Sequence, residues 1–137
     1  MADVPDPLGR IATELGFPME PIPKEAAVSR DLAVRYLVGK LADHRLLPAH
    51  AVDVVTNQVL KRESIGSTGF GKGFAIPHTK HDGVQGHVGI CGWSEIGIPW
   101  EAIDGENVHS VCLMVAAPNP PGAYLRALGT ISGMFRS

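Results

Sequence analysis

The feature that most constrains the fold is one long apolar segment, residues 108–117 (VHSVCLMVAA). Its length fits a single β-strand, and its apolar side chains fall on both faces that alternate along a strand. A strand that is apolar on both faces has to be covered on both sides, so we expect it at the centre of a sheet with helices on each face. This segment therefore predicts a layered α/β domain.

The flanking sequence supplies the other elements of such a domain. Apolar residues at helical spacing predict helices, and short apolar runs predict further strands. The predicted helices cover residues 30–44, about 48–62 and 123–135, and the predicted strands cover residues 74–76 and 88–93. Ser29 is the expected N-cap of the first helix, and Leu32, Tyr36 and Leu37 are expected on its apolar stripe. We expect a three-layer α/β/α domain with a mixed sheet.

The first 24 residues differ in composition from the rest of the chain, because they contain five prolines. Proline restricts the backbone and lacks an N–H, so we expect residues 1–24 to form an extended lead-in with at most a short helical turn around residues 8–15. Residues 25–137 are then the domain itself, which is an ordinary length for one domain.

Charge and hydropathy argue against several classes of function. The formal net charge is −2, and the chain has no run of Lys and Arg, so we do not expect nucleic-acid binding. The apolar stretches are shorter than a bilayer span, and the N-terminus lacks the basic and apolar regions of a signal peptide. The sequence therefore predicts a soluble, cytoplasmic protein without membrane insertion.

The most unusual segment has four glycines within eight residues, Gly66, Gly69, Gly71 and Gly73. Glycines cost conformational entropy, so a local requirement is expected. Positive φ angles at glycine turn successive amides toward one point and form an anion-binding nest. The segment is not a P-loop, because Gly73 stands where Ser or Thr would follow the lysine, and no strand directly precedes it as in a dinucleotide fingerprint.

Side chains around the glycines suit an anion held beside an imidazole. Ser67 and Thr68 bring hydroxyl donors, Lys72 brings positive charge, and Arg62 brings a planar fork that matches phosphate. His78 comes after the short strand 74–76 and Pro77, at the point where a strand end presents a side chain at the surface. This arrangement predicts phosphate binding next to His78.

Residues 62–78 (RESIGSTGFGKGFAIPH) resemble the active-site signature of the fructose/mannitol-type (type 2) IIA domains of the bacterial phosphoenolpyruvate:sugar phosphotransferase system, a family that includes nitrogen-regulatory IIA proteins. The resemblance extends in character and order over roughly residues 25–137. It implies the IIA-type phosphotransferase fold. Because family members normally continue past the point that matches Ser137, it also implies a fold shortened at the C-terminus.

The resemblance further implies a phosphohistidine carrier. His78 matches the phosphorylated histidine, which would accept a phosphoryl group from the carrier protein HPr and pass it to a IIB partner or use it as a regulatory signal. Arg62 matches the active-site arginine. The remaining phosphate-binding groups would be Ser67, Thr68 and the amides of Gly69 and Gly71. No cofactor and no metal are expected.

One position departs from the family pattern. Tyr124 stands where the family has a second histidine before a leucine, and a tyrosine donates a hydrogen bond but carries no positive charge. We retain Tyr124 as a phosphate-binding candidate. The departure also keeps open an alternative, a IIA-like regulatory module that binds a protein partner without transferring phosphate.

Two further alternatives concern other side chains. The first is a zinc site at His78 and His81, which have His-x-x-His spacing. Pro77 and Gly83 indicate a loop there, and a zinc site needs three or four protein ligands. The second is a nucleophilic Cys–His enzyme, in which Cys91 or Cys112 would act beside His78. Both cysteines lie in apolar strands, where a nucleophilic thiolate is disfavoured. They are expected to be buried thiols, although a disulfide between them stays open on geometric grounds.

Overall fold

The long apolar segment forms the strand around which the fold is built. In this computed structural model, which describes residues 7–118 and 122–136, the strand covers Val108–Ala116. Only the backbone is described at five positions, Phe70, Ala123, Tyr124, Phe135 and Arg136. Six of the seven residues from 110 to 116 are fully shielded from solvent, and Ser110 is nearly so, which confirms the prediction of a central, doubly covered strand.

Helices surround the strands in the predicted order. The described elements are α1 (Leu8–Leu15), β1 (Met19–Pro21), α2 (Arg30–Asp43), α3 (Val52–Ile65), β2 (Gly69–Gly71), β3 (Phe74–Ala75), β4 (His78–Lys80), β5 (His87–Ile98), β6 (Val108–Ala116) and α4 (Gly122–Arg136). A short 3-10 turn at Ala49–Ala51 precedes α3. Within the described ranges, none of the helices has the length and hydropathy that a membrane span requires.

The described strands form one mixed sheet in the order β1-β5-β6-β3-β2. Strand β5 runs antiparallel to β6 along one edge, while β3 and β4 both pair parallel with β6 along the other. Pro77 lies between β3 and β4 and has no N–H, but its carbonyl accepts the amide of Met114 at 3.0 Å. Strands β3 and β4 are therefore two halves of one interrupted strand, and His78 begins the second half opposite Met114.

Two apolar clusters pack on opposite faces of this sheet. One cluster joins α2 and α3 to residues such as Ile90 and Leu113, and the other joins α1 and α4 to residues such as Phe74 and Met114. Side chains alternate between the faces of β6, so neighbouring residues of this strand belong to different clusters. The predicted three-layer α/β/α arrangement with a mixed sheet is confirmed.

The buried stripe of α2 differs from the prediction. Ser29 caps the helix as expected, since its Oγ accepts the amide of Leu32 at 3.1 Å. However, Leu32 itself is 46% exposed, and Tyr36 is only half-buried. The buried residues are Ala33, Val34, Leu37, Val38 and Leu41. The prediction placed the buried face by its large apolar residues, whereas the structure buries the small Ala33 and exposes Leu32 beside it.

Residues 8–21 are not an extended lead-in. The expected helical turn is a two-turn helix, α1, whose Leu8 and Ile11 are fully buried against the sheet. The following residues form β1, which pairs parallel with β5 through Met19 and Cys91. Proline is tolerated here because β1 is an edge strand, where a missing N–H costs no ladder hydrogen bond.

This correction predicts a measurable loss of stability in α1. Replacing Ile11 by Ala leaves a cavity in the cluster under α1, so the free energy of unfolding should fall by about 2–5 kcal/mol. Glu14→Ala, at an exposed position of the same helix, should change it by less than about 0.5 kcal/mol. Urea denaturation of both variants tests this, and equal, negligible effects would show that α1 is not part of the folded core.

Candidate functional site

Arg62 lies in the last turn of α3, with its side chain exposed. Its Nη1 donates to the carbonyl oxygen of Gly66 at 2.7 Å. Carbonyls at a helix C-terminus lack partners within the helix and attract positive charge, which explains this contact. One such bond does not exhaust the donors of a guanidinium group, so Arg62 is able to bind an anion while it closes the helix.

Glu63, the next residue, is 3% exposed. Its Oε2 accepts the backbone amide of Thr68 at 3.0 Å, and its Oε1 accepts the Thr68 hydroxyl. Burial of a polar group is costly unless it is hydrogen-bonded, and Thr68 places one donor on each oxygen. Glu63 therefore fastens the start of the glycine-rich segment to the end of α3.

The glycine-rich segment folds into a hairpin between β2 and β3, not into a nest of converging amides. Gly69 pairs with Ala75, and Gly71 pairs with Phe74. The positive φ angles, 103° at Gly71, 59° at Lys72 and 75° at Gly73, form the turn of this hairpin. The amide of Lys72 donates to Oδ2 of Asp104 at 3.1 Å. The Lys72 amide is thus directed at a carboxylate, and the positive φ angles of Gly71 and Gly73 serve the hairpin turn, which corrects the predicted reason for these glycines.

Close packing gives a second reason for the glycines. A Cβ on Gly69 would lie 2.8 Å from Cβ of Ala102, and one on Gly71 would lie 3.2 Å from Oδ2 of Asp104. The amide of Gly69 donates to Oγ of Ser67 at 3.0 Å. Ser67 accepts in that bond and keeps its own hydroxyl proton for another acceptor. The predicted phosphate contacts of Ser67, Gly69 and Gly71 stay predictions.

Thr68 and the Lys72 amide have hydrogen-bond partners within the protein, and the predicted phosphate contact of Thr68 stays a prediction. The single hydroxyl proton of Thr68 is directed at Glu63, and its amide donates there as well. Lys72 lies at the turn of the hairpin, where it lines a polar cavity with Asn107 and His109. Near this cavity, hydrogen bonds from the backbone amide of Glu106, and to a lesser extent from that of Lys72, lower the pKa of Asp104 below its usual value.

His78 is half-buried at the start of β4, and its Nδ1 lies 2.7 Å from the carbonyl oxygen of Ile76. A carbonyl only accepts hydrogen bonds, so this contact requires the proton on Nδ1. In the neutral ring the lone pair then lies on Nε2. The amide of Ile76 in turn donates to the carbonyl of Thr68 at 3.3 Å. A hydrogen-bonded path therefore joins Glu63 to His78.

The cysteines are free thiols, and each is completely buried. Cys91 on β5 lies directly opposite Cys112 on β6, with the sulfur atoms 3.8 Å apart. The hydrogen bond between the thiols, followed by burial, raises the pKa of Cys112. A raised pKa disfavours the thiolate, which agrees with the interpretation of these residues as packed thiols.

Two other histidines, His81 and His109, have backbone hydrogen-bond partners of their own. Nδ1 of His81 accepts the amide of Gly83 at 2.9 Å in a loop, and Nδ1 of His109 donates to the carbonyl of Ser94 at 2.9 Å. Within residues 7–118 and 122–136, no group of three or more His, Cys, Asp or Glu side chains is arranged to hold a metal ion. The prediction for Tyr124 concerns a side chain outside the described part of the chain.

The sequence matches a family model described as "Phosphoenolpyruvate-dependent sugar phosphotransferase system, EIIA 2" over residues 22–137. This range covers most of the chain, including the whole path from Glu63 to His78. The chain belongs to this family. The family resemblance of residues 62–78 is thereby confirmed. Members of this family are IIA components of the phosphotransferase system.

Individual relatives agree with this assignment. The chain is 30% identical over 124 residues to a nitrogen regulatory protein from Bradyrhizobium diazoefficiens, covering 90% of this chain and 79% of the relative. It is 32% identical over 112 residues to the fructose-specific EIIABC component of the Bacillus subtilis phosphotransferase system. That match covers 82% of this chain, but the chain spans only 16% of this longer relative.

Solved structures show the same fold. The nitrogen regulatory protein IIA-Ntr from Neisseria meningitidis superposes with a TM-score of 0.74 at 25% identity, covering 90% of this chain and 80% of that protein. The Escherichia coli mannitol IIA, solved in complex with phosphorylated mannitol IIB, superposes with a TM-score of 0.66 at 15% identity, covering 81% and 74%. The expected IIA-type fold is confirmed.

Glu63 was not among the predicted site residues, although it stands in the matching segment and contacts Thr68. A local signal was available. The C-terminal end of a helix carries partial negative charge, so an acidic residue in the last turn of α3 is unfavourable there. Such a residue needs a specific partner, and Thr68 is that partner.

The packing of Gly69 against Ala102 predicts a coupled pair of substitutions. Gly69→Ala should lower the free energy of unfolding by about 1–3 kcal/mol, because the new methyl group overlaps Ala102. The double variant with Ala102→Gly should be more stable, by about 1 kcal/mol or more, than the sum of the two single substitutions predicts. Urea denaturation measures both values. Gly66→Ala is the control, since its Cβ would meet open space, and additive effects at 69 and 102 would contradict the packing account.

Proposed function

We propose that this protein is a phosphohistidine carrier that accepts a phosphoryl group on Nε2 of His78. The observation that carries the proposal is the hydrogen bond from Nδ1 of His78 to the Ile76 carbonyl, in a chain that belongs to the IIA family. With its proton on Nδ1, the neutral imidazole has its lone pair on Nε2, where the new bond to phosphorus would form.

The phosphoryl donor we propose is the phosphohistidine of HPr. The lone pair on Nε2 of His78 forms the new N–P bond while the N–P bond of the donor breaks. The donor ring carries a proton on its other nitrogen, so the electron pair of the broken bond leaves it as a neutral imidazole, and His78 becomes a protonated phosphohistidine. The Nδ1 proton of His78 does not move in this step. It continues to donate to Ile76, so the phosphorylated ring keeps the same orientation.

Arg62 is the proposed anion-stabilising group. Phosphoryl transfer requires mainly alignment and stabilisation of charge on the equatorial oxygens, which a guanidinium fork does well. Arg62 follows from the family signature, and its exposed side chain is accessible to a group presented by another protein. Ser67 adds a hydroxyl donor in the same proposal, whereas the Thr68 hydroxyl is committed to Glu63.

The proposed acceptor is a IIB protein or domain, or a regulatory protein that responds to the phosphorylated state. The mannitol IIA of Escherichia coli, which shares the fold, was solved with phosphorylated IIB. The nitrogen regulatory relatives favour the regulatory use of the same carrier chemistry. Both uses require phosphate on His78, so one labelling experiment tests what they share.

Incubation with phosphoenolpyruvate, enzyme I and HPr should place one acid-labile phosphate on the protein. The label should be lost in His78→Ala and retained in His81→Ala, because His81 is bonded within its loop. Mass spectrometry and acid lability measure the result. A folded wild-type protein that takes no label would contradict the carrier and support the alternative, a IIA-like module that binds its partner without phosphotransfer.

Arg62→Ala should slow phosphorylation of His78 by about 100-fold or more, by analogy with loss of one charge-stabilising donor. Arg62→Lys should recover only part of the rate, since lysine lacks the planar fork. Rapid-quench labelling measures the rates, and thermal melting checks the fold. Arg35→Ala, which removes another exposed arginine, is the control. A loss below about fivefold would remove Arg62 from the mechanism.

A further inference from the structure

We propose that Glu63 and Thr68 form a positioning pair that holds His78 in its reactive tautomer. This inference rests on the proposed function, because it assigns the pair a task in phosphorylation of His78. Neither residue would touch the phosphoryl group. Both act through the backbone of Ile76, by way of three hydrogen-bonded steps.

The first step is the rigid attachment of Thr68 to α3. Glu63 is buried and belongs to the helix, so its carboxylate has a fixed position. Both of its oxygens accept hydrogen bonds from Thr68, one from the amide and one from the hydroxyl. Two bonds between two residues fix orientation as well as distance. The carbonyl of Thr68 is thereby aimed in one direction.

The second step passes from Thr68 to Ile76. The Thr68 carbonyl accepts the Ile76 amide at 3.3 Å, just beyond the last pair of the β2–β3 hairpin. On the other side of Ile76, the Pro77 carbonyl accepts the amide of Met114 at 3.0 Å. Ile76 is also buried, at 6% exposure. The residue is therefore held at both ends and by its side chain.

The third step is the contact with the imidazole. The Ile76 carbonyl accepts from Nδ1 of His78 at 2.7 Å. If the carbonyl turned away, nothing in this contact would require the proton on Nδ1, and the ring would populate the other tautomer. That tautomer carries its proton on Nε2 and has no lone pair there for phosphorus. The fraction of reactive ring thus depends on the direction of one carbonyl.

The hydroxyl of Thr68 distinguishes this role from phosphate binding. A hydroxyl has a single proton, and that of Thr68 is directed at Glu63. Ser67, one residue earlier, accepts a bond and retains its proton. We therefore assign Thr68 to positioning and leave Ser67 as the phosphate-binding candidate of the pair.

Two matched pairs of variants test the proposal. Thr68→Ser keeps both donors, and Thr68→Val removes the hydroxyl. Glu63→Gln keeps both contacts, because its amide oxygen accepts the Thr68 amide while its NH₂ donates to the hydroxyl oxygen; Glu63→Leu keeps neither. Ser64→Ala is the control, since Ser64 is exposed and bonds only the Lys61 carbonyl in the described structure.

Two readouts are needed for each variant. Ring ¹⁵N chemical shifts of His78 in the unphosphorylated protein give the tautomer fraction, and rapid-quench labelling with phosphorylated HPr gives the rate. We expect Thr68→Val and Glu63→Leu to lower the fraction with the proton on Nδ1 and to slow labelling by about tenfold or more, since small misplacements are costly in transfer steps. Thr68→Ser, Glu63→Gln and Ser64→Ala should stay within about threefold of wild type.

The outcomes separate this inference from the proposed function. A folded Thr68→Val variant with unchanged tautomer fraction and rate would overturn the positioning role, even if Glu63→Leu fails to fold. Glu63→Gln as slow as Glu63→Leu would overturn it in favour of a direct effect of charge. If wild type takes no phosphate, the carrier proposal fails, but the tautomer measurements still decide whether the pair positions His78.

Discussion

The hydrogen bond between His78 and the Ile76 carbonyl depends on the direction of the backbone around Pro77, in the strand beside β6. On one side of Pro77 the chain pairs with Ser110 and Val111, and on the other side it pairs with Met114 onward. In between, the Ile76 carbonyl accepts from the imidazole at 2.7 Å. The Pro77 carbonyl faces β6, where it accepts the Met114 amide, so Ile76 faces the opposite side and its amide donates to Thr68. The hydrogen bond to His78 therefore uses a backbone carbonyl that takes no part in the pairing with β6.

The rigidity of the site comes from the rest of the fold. Strand β6 is covered by helices on both faces, so both halves of the interrupted strand are fixed against a fully packed element. The α3 end is fixed separately through Glu63 and Thr68. Arg62 lies at the fixed end of α3, and His78 lies in the strand that pairs with β6. Arg62 is exposed and His78 is half-buried. Both side chains therefore keep surface that a docked partner can reach, as the proposed transfer between proteins requires.

Much of this organisation was predictable from the sequence, and the exceptions have physical reasons. The apolar run in β6 and the helical periodicities fix the layers, and the matching segment 62–78 points to His78 and Arg62. Pro21 concealed the edge strand β1, because proline is unfavourable in a strand only where its N–H would be needed for a hydrogen bond to a neighbouring strand. The glycines suggested a nest, but positive φ serves a hairpin turn equally well, and close contact with Ala102 cannot be seen in a linear sequence. Glu63 was missed since its burial depends on the loop that folds back over it.

The central claim is that the Ile76 carbonyl holds the proton on Nδ1 of His78 and so makes Nε2 the phosphorylated atom. The most direct measurement is a long-range ¹H–¹⁵N correlation spectrum, with ³¹P coupling, of the protein after phosphorylation by HPr. The account predicts phosphorus bonded to Nε2 and a proton retained on Nδ1. Phosphorus on Nδ1 would contradict it, because that nitrogen could not then donate to Ile76.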